Sequence, residues 1–185
     1  MSKTGAAFNC ICIALLFVAL GSAQTLQSGA LLPQLQGTTL NDHEITLPDA
    51  SSGKVTLLII TFSKAAGERA QEWNKRFFKD YPEDNQVTSY AVAMLEDVPS
   101  LFRGLARSGM KHGVPASVHS RFLIVTKNEA TWKKYTGMLD DKDPYLLLLD
   151  KQAHLQWTHH GAFDQTIYDA LKARITDLSK RPTSP

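Results

Sequence analysis

The chain is expected to fold as an α/β domain around a mixed central sheet, and three observations lead there. Strand and helix signals alternate from Thr38 to Leu178, the pattern that lays helices on the faces of a sheet. Two runs, Val55–Phe62 (VTLLIITF) and Val87–Leu95 (VTSYAVAML), are apolar or β-branched almost without a break, as strands buried on both faces require. Two late runs meet at a short turn, which adds antiparallel pairing to strands otherwise joined by helix-length crossovers.

The N-terminal segment stands apart from this alternation. Met1 to Phe8 carries a single charge, Lys3, and no acid, and Cys10 through Leu20 (CICIALLFVAL) is uninterrupted apolar sequence followed by Gly21-Ser22-Ala23. A basic start, an apolar core of about 7–15 residues and small residues at the −3 and −1 positions describe a secretory signal peptide. Residues 1–23 are read as that signal, cleaved after Ala23. The run falls short of the roughly 20 apolar residues of a membrane span; an uncleaved anchor and a buried N-terminal helix are the alternatives. Lipidation of Cys10 or Cys12 fits poorly, since both precede the apolar core. The expected product is a periplasmic or secreted domain over residues 24–178, with a polar, proline-punctuated tail at 179–185.

Removing that leader removes both of the chain's 2 cysteines and Lys3, so the formal charge falls from +2 to +1. An exported domain of this size often carries disulfides; here none can form, and stability rests on packing. No long basic block is interleaved with aromatics, so a nucleic-acid partner is not supported.

Each element has its own signal. Thr38-Thr39-Leu40 and Glu44–Leu47 flank Asn41-Asp42-His43 and read as a β-hairpin. Glu68–Phe78 sets Trp73, Phe77 and Phe78 at helical spacing, with Glu72 and Arg76 as an i,i+4 pair, and Tyr81-Pro82 stops it. Ser100–Ser108 is expected to be helical with Gly109 as terminator. Phe122–Thr126 is a short strand, after which Asn128 caps a helix through Trp132 and Tyr135. Tyr145–Leu149, a turn at Asp150 to Ala153, and the alternating His154–Thr158 form the late hairpin. Asp164 caps a last helix whose Ile167, Leu171, Ile175 and Leu178 share a face.

The stretch from Gly53-Lys54-Val55 to Phe62, with the helix after it, resembles the first core strand and active-site helix of the peroxiredoxin and TlpA-like branch of the thioredoxin superfamily. Pro144-Tyr145-Leu146-Leu147-Leu148-Leu149-Asp150, followed by Leu155-Gln156-Trp157 and Gly161, is similar to that branch's P-x-x-x-L-I-D…G-x-I-x-W…G segment. The resemblance spans Leu35 to Leu178 and implies a thioredoxin-like three-layer α/β/α sandwich with an N-terminal β-hairpin. Family members carry their reactive cysteine at the strand–helix junction, which is Ser63 to Ala70 here (SKAAGERA) and holds no thiol. Thiol–disulfide exchange needs a thiolate nucleophile, and the Ser63 hydroxyl has no evident base to activate it. The resemblance further implies that Pro144 is the family's cis-proline. A narrower likeness, carried by GKVTL, Trp73 and the later LLLLD…LQW…G block, is to the thioredoxin-like assembly factor of the mitochondrial ATP synthase membrane sector.

These readings point to a redox-inactive binding module, an assembly or chaperone-like factor. It would hold a protein or peptide partner, a membrane-associated complex included, in a groove between Ser63, Lys64, Gly67 and Arg69 on one side and Asp143, Pro144 and Tyr145 on the other. The alternative is a cysteine-independent enzyme or small-molecule binder with an anion pocket at Lys64 and Arg69 beside a helix N-terminus. No catalytic residue, cofactor or metal ligand set is assigned. Met110, His112 and His119 lie in a Gly/Pro-punctuated loop (GMKHGVPASVH) that reads as solvated more readily than as a copper site. His159 and His160, adjacent on a strand, point to opposite faces. Asp140, Asp141 and Asp143 lack the spacing of a calcium loop. Ser117 and Ser120 lack a G-x-S-x-G elbow, and Trp73, Trp132 and Trp157 read as core.

Overall fold

A computed structural model describes residues 28–82 and 86–182; the leader reading, residues 1–23, lies outside the described residues. The elements are β1 (Leu35–Thr39), β2 (Glu44–Leu47), β3 (Val55–Thr61), α1 (Lys64–Asp80), β4 (Val87–Met94), α2 (Ser100–Gly113), β5 (Phe122–Val125), α3 (Glu129–Thr136), β6 (Tyr145–Leu149), β7 (Leu155–His160) and α4 (Gln165–Lys180). The strands form one seven-stranded sheet in the order β2-β1-β5-β4-β3-β6-β7. Only β3–β4 and β4–β5 pair in parallel, and α1 and α2 are their crossovers; the remaining pairs are antiparallel.

The apolar runs are continuous because both faces are covered. Every residue of β3 and β6 is buried. Leu58, Ile60, Tyr145, Leu147 and Leu149 turn to one side, where Trp132 and Tyr135 of α3 close a core. Val55, Leu57, Ile59, Leu146 and Leu148 turn to the other, against Trp73 and Phe77 of α1 and Tyr168, Leu171, Ile175 and Leu178 of α4. On that second side, Ala106 and Met110 of α2 rest on a smaller cluster of Leu40, Leu95 and Ile124. The result is the α/β/α sandwich with a mixed sheet and N-terminal hairpin that the resemblance implies.

Helix ends follow local chemistry. The Ser63 hydroxyl accepts from the Ala66 amide and the Asp164 carboxylate from the Ile167 amide, each satisfying a donor that has no intrahelical partner. Asn128 stands at the expected cap of α3, but in a left-handed conformation and without a side-chain bond. Glu96 takes over that role by accepting from the Glu129 amide, while the buried Glu129 carboxylate accepts from the amides of Glu96 and Asp97. Gly109 does not end α2, which runs to Gly113. One interior glycine costs a helix only about 1 kcal/mol, whereas Pro115 forces its predecessor Val114 out of helical geometry (φ −118°, ψ 133°). Met110 and His112 are therefore helical, and His119 sits in a 3-10 turn, Ala116–Arg121, instead of in an open loop. The helix α4 continues through Ser179 and Lys180.

The hairpin joins the sheet through one close approach. A Cβ on Gly37 would lie 2.6 Å from the carbonyl oxygen of Ile124 and 2.9 Å from the Leu123 side chain. Backbone cannot yield as a side chain does, so Gly37→Ala is expected to loosen β1 from β5 and cost about 1–3 kcal/mol. Urea denaturation checks this; an unchanged midpoint would contradict the packing described.

Candidate functional site

The site grows out of strand register. Because β3 and β6 are antiparallel with Ile60 opposite Tyr145, the residues leaving β3 meet those entering β6. Ser63, at the start of α1, donates its hydroxyl to the Asp141 carbonyl at 2.6 Å. One turn and a half along α1, Arg69 Nη1 donates to Asp143 Oδ1 at 2.6 Å. The other oxygen of Asp143 faces His160 Nδ1 at 3.4 Å. His160 is opposite Tyr145 in the β6–β7 register, and their rings stack with centroids 5.6 Å apart.

Tyr145 and Pro144 hold the intervening turn in shape. The buried Tyr145 hydroxyl accepts from the amides of Leu139 and Asp140 and donates to the Asp140 carbonyl. Pro144 offers its carbonyl to the Gly161 amide at 3.1 Å. The bond preceding Pro144 is trans: among the described residues the cis peptide is Leu47–Pro48. The cis geometry implied for Pro144 is thus corrected. A trans X–Pro bond is intrinsically preferred by about 0.5–1 kcal/mol, and the bonds from the Asp143 amide to Asp140 and from Gly161 to Pro144 are made in that form.

Ser63, Arg69, Asp143, Pro144 and Tyr145 are therefore brought together. Lys64 is not: its side chain is 92 % exposed and pairs loosely with Glu68 at 3.7 Å. Gly67 lies in the first turn of α1 with open space where a Cβ would be. Arg69 has its charge answered by Asp143, so the two cations do not converge on an anion pocket. The two segments touch directly, and the open space lies on the far side of Tyr145. There a cleft of about 440 Å³ is lined by Thr136, Tyr145, Leu147, Thr158, His159 and His160. It opens beside β7, which is an edge of the sheet. Thr158 and His160 escaped the sequence reading, although β7 alternation combined with antiparallel pairing from Tyr145 would have placed them there.

Ser63 is used as a helix cap and as a donor to a backbone carbonyl, and no side-chain base is among its hydrogen-bond partners, so nothing activates the hydroxyl. No group of three or more His, Cys, Asp and Glu is arranged for a metal ion among the described residues. His112 and His119 each bond a backbone carbonyl of the preceding turn. His159 packs between Trp73 and Trp157. Burial first, and then the neighbouring His160, hold its pKa below the usual histidine value.

That depression has a sign. The unfolded chain binds this proton more readily than the folded one, so His159 lowers stability as pH falls below about 6.5 and not above it. The loss of stability between pH 7 and pH 5 should be smaller in His159→Gln. Denaturant midpoints at the two pH values test this; identical losses would contradict the assignment.

Residues 16–178 match the family model described as ATP10 protein. No curated protein sequence matches. Solved structures show the fold. A putative thiol:disulfide interchange protein DsbE from Chlorobium tepidum superposes with a TM-score of 0.61 at 17 % identity, covering 83 % of this chain and 99 % of that one. A putative protein disulfide isomerase from Bacteroides thetaiotaomicron gives 0.60 at 16 %, covering 84 % and 92 %. BsSco, of the Sco family of cytochrome c oxidase assembly proteins, gives 0.59 at 9 %, covering 83 % and 96 %. The fold is thioredoxin-like.

Proposed function

Since the chain belongs to the ATP10 protein family, we propose that it is an exported, redox-inactive assembly factor that holds a protein partner and leaves its chemistry untouched. The partner is a segment of an ATP synthase membrane-sector complex, as the family suggests. The seat is the cleft between Tyr145, Leu147, Thr158 and His160, beside the stretch of β7 past Leu155, whose own main-chain groups bond Gly29 and Ala30. An extended peptide can add to such an edge through main-chain hydrogen bonds while its side chains enter the neighbouring cleft.

One observation carries the reading. At the strand–helix junction, where the scaffold's redox relatives place a cysteine, this chain has a serine committed to two hydrogen bonds and an arginine committed to an aspartate. Groups that are mutually satisfied fix the shape of a surface; they do not attack a substrate. Export rests on the pattern of residues 1–23, and the product is periplasmic or secreted. BsSco, whose printed description is also that of an assembly protein, supports the idea that this fold serves assembly.

A photo-crosslinking residue in place of the exposed Thr158 should capture a membrane-sector subunit in the cell envelope. The same residue in place of Lys75, on the outer surface of α1, should not. Equal capture from both positions, or capture from neither, would defeat the cleft as the seat.

A further inference from the structure

The strand β7 is an outer strand of the sheet, and flanking bonds fix which of its main-chain groups face away from β6. The Gly161 amide donates to the Pro144 carbonyl, and the Asp150 amide to the His154 carbonyl. The pairs beside those bonds, Tyr145–His160 and Leu149–Leu155, therefore exchange no bonds of their own, and by alternation Leu147–Thr158 is a third such pair. The N–H and C=O groups of Leu155, Thr158 and His160 point off the sheet.

The arm that leads into the domain already uses the first of these. Leu155 donates its amide to the Ala30 carbonyl at 2.8 Å and accepts from the Gly29 amide at 2.7 Å, and the Leu32 amide donates to the Ala153 carbonyl at 3.0 Å. Leu31 stands opposite His154 in an antiparallel bridge. Residues 28–31 are thus an extended segment laid antiparallel on the edge of β7. Main chain holds them almost alone: Ser28 and Gly29 are exposed, Ala30 is half-buried, and Leu31 is 62 % exposed. Side-chain burial begins only at Leu32, which joins the core that contains Leu155. A segment held by a few backbone bonds, with no buried side chain behind them, opens locally at far less cost than the domain unfolds. The direction of the arm also matters. A second segment antiparallel to β7, entering beside His160 and Thr158, runs toward Leu155 and meets Gly29 there. It either stops short or lifts the arm.

We propose that residues 28–31 are a displaceable strap, which keeps the Leu155 main-chain groups until an extended segment of the partner, adding antiparallel along Thr158 and His160, takes them over. The partner's part in this rests on the cleft being its seat; the strap itself does not. The test uses the full chain with Cys10→Ala and Cys12→Ala, so that an introduced cysteine pair is the sole one. Leu31→Cys/His154→Cys ties the arm to β7. The bonds from Leu155 to Ala30 and from Leu32 to Ala153 flank that pair, which sets its Cα atoms about 4.5 Å apart, within the roughly 4.4–6.8 Å that a disulfide spans. Followed by NMR, the Leu155 amide should exchange with deuterium at least about tenfold more slowly in the oxidised chain than in the reduced one. Gly29→Ala, strained at φ 90°, should speed that exchange. Equal rates in the oxidised and reduced chains would overturn the strap. With a photo-crosslinking residue at Thr158, capture of the membrane-sector subunit should fall several-fold on oxidation and return on reduction. Capture indifferent to the disulfide would overturn the displacement. Capture from neither form would defeat the cleft as the seat, and the exchange rates would then judge the strap alone.

Discussion

The antiparallel register of β3 and β6, with Ile60 opposite Tyr145, is the constraint on which the rest of the molecule depends. Both strands are buried along their length, and a slip by one residue would send every side chain to the wrong core. The register therefore holds, and with it the meeting of the β3–α1 junction with the turn before β6. Ser63 touching Asp141, and Arg69 touching Asp143, are consequences of that alignment. Neither contact needs to be strong. Arg69 is nearly half exposed, and ion pairs of that kind contribute about 1 kcal/mol or less; the sheet sets the geometry and the pair completes it.

A thioredoxin-like scaffold normally leaves this junction open for sulfur to react. Here polar side chains close it onto the opposing turn, and a cleft lies beside Tyr145 and β7. The same buried scaffold thus supports two surfaces of different character: a polar-lipped cleft at one edge, and at α2, over the β1–β5 side, a helix that is only half sunk into its core.

The strands and all four helices are legible because their signals are redundant, and only helix ends and caps differ. β3 and β6 are buried throughout, and α4 has both an Asp164 cap and a regular face. What escaped depended on competition between neighbours. Gly109 looked like a helix terminator, but its cost is small beside the steric bar that Pro115 sets. Asn128 occupied the cap position while Glu96, more than thirty residues earlier in the chain, made the bond. Pro144 took its implied cis form from resemblance, and the turn around it is satisfied in trans. At the site, Ser63 and Arg69 bond Asp141 and Asp143 directly, where the resemblance implied a groove between the two segments, and Lys64 turns to solvent. His160 joins the site through its pairing with Tyr145 on the neighbouring strand, which the pattern of β7 alone does not show.

The central claim is that this chain has exchanged thiol chemistry for a closed polar contact. The most direct measurement is insulin reduction by dithiothreitol in the presence of the chain from Gln24 onward. The account predicts a rate equal to that of buffer alone, because Cys10 and Cys12 are the only sulfhydryl residues and precede that point. Turnover above the buffer rate would contradict it.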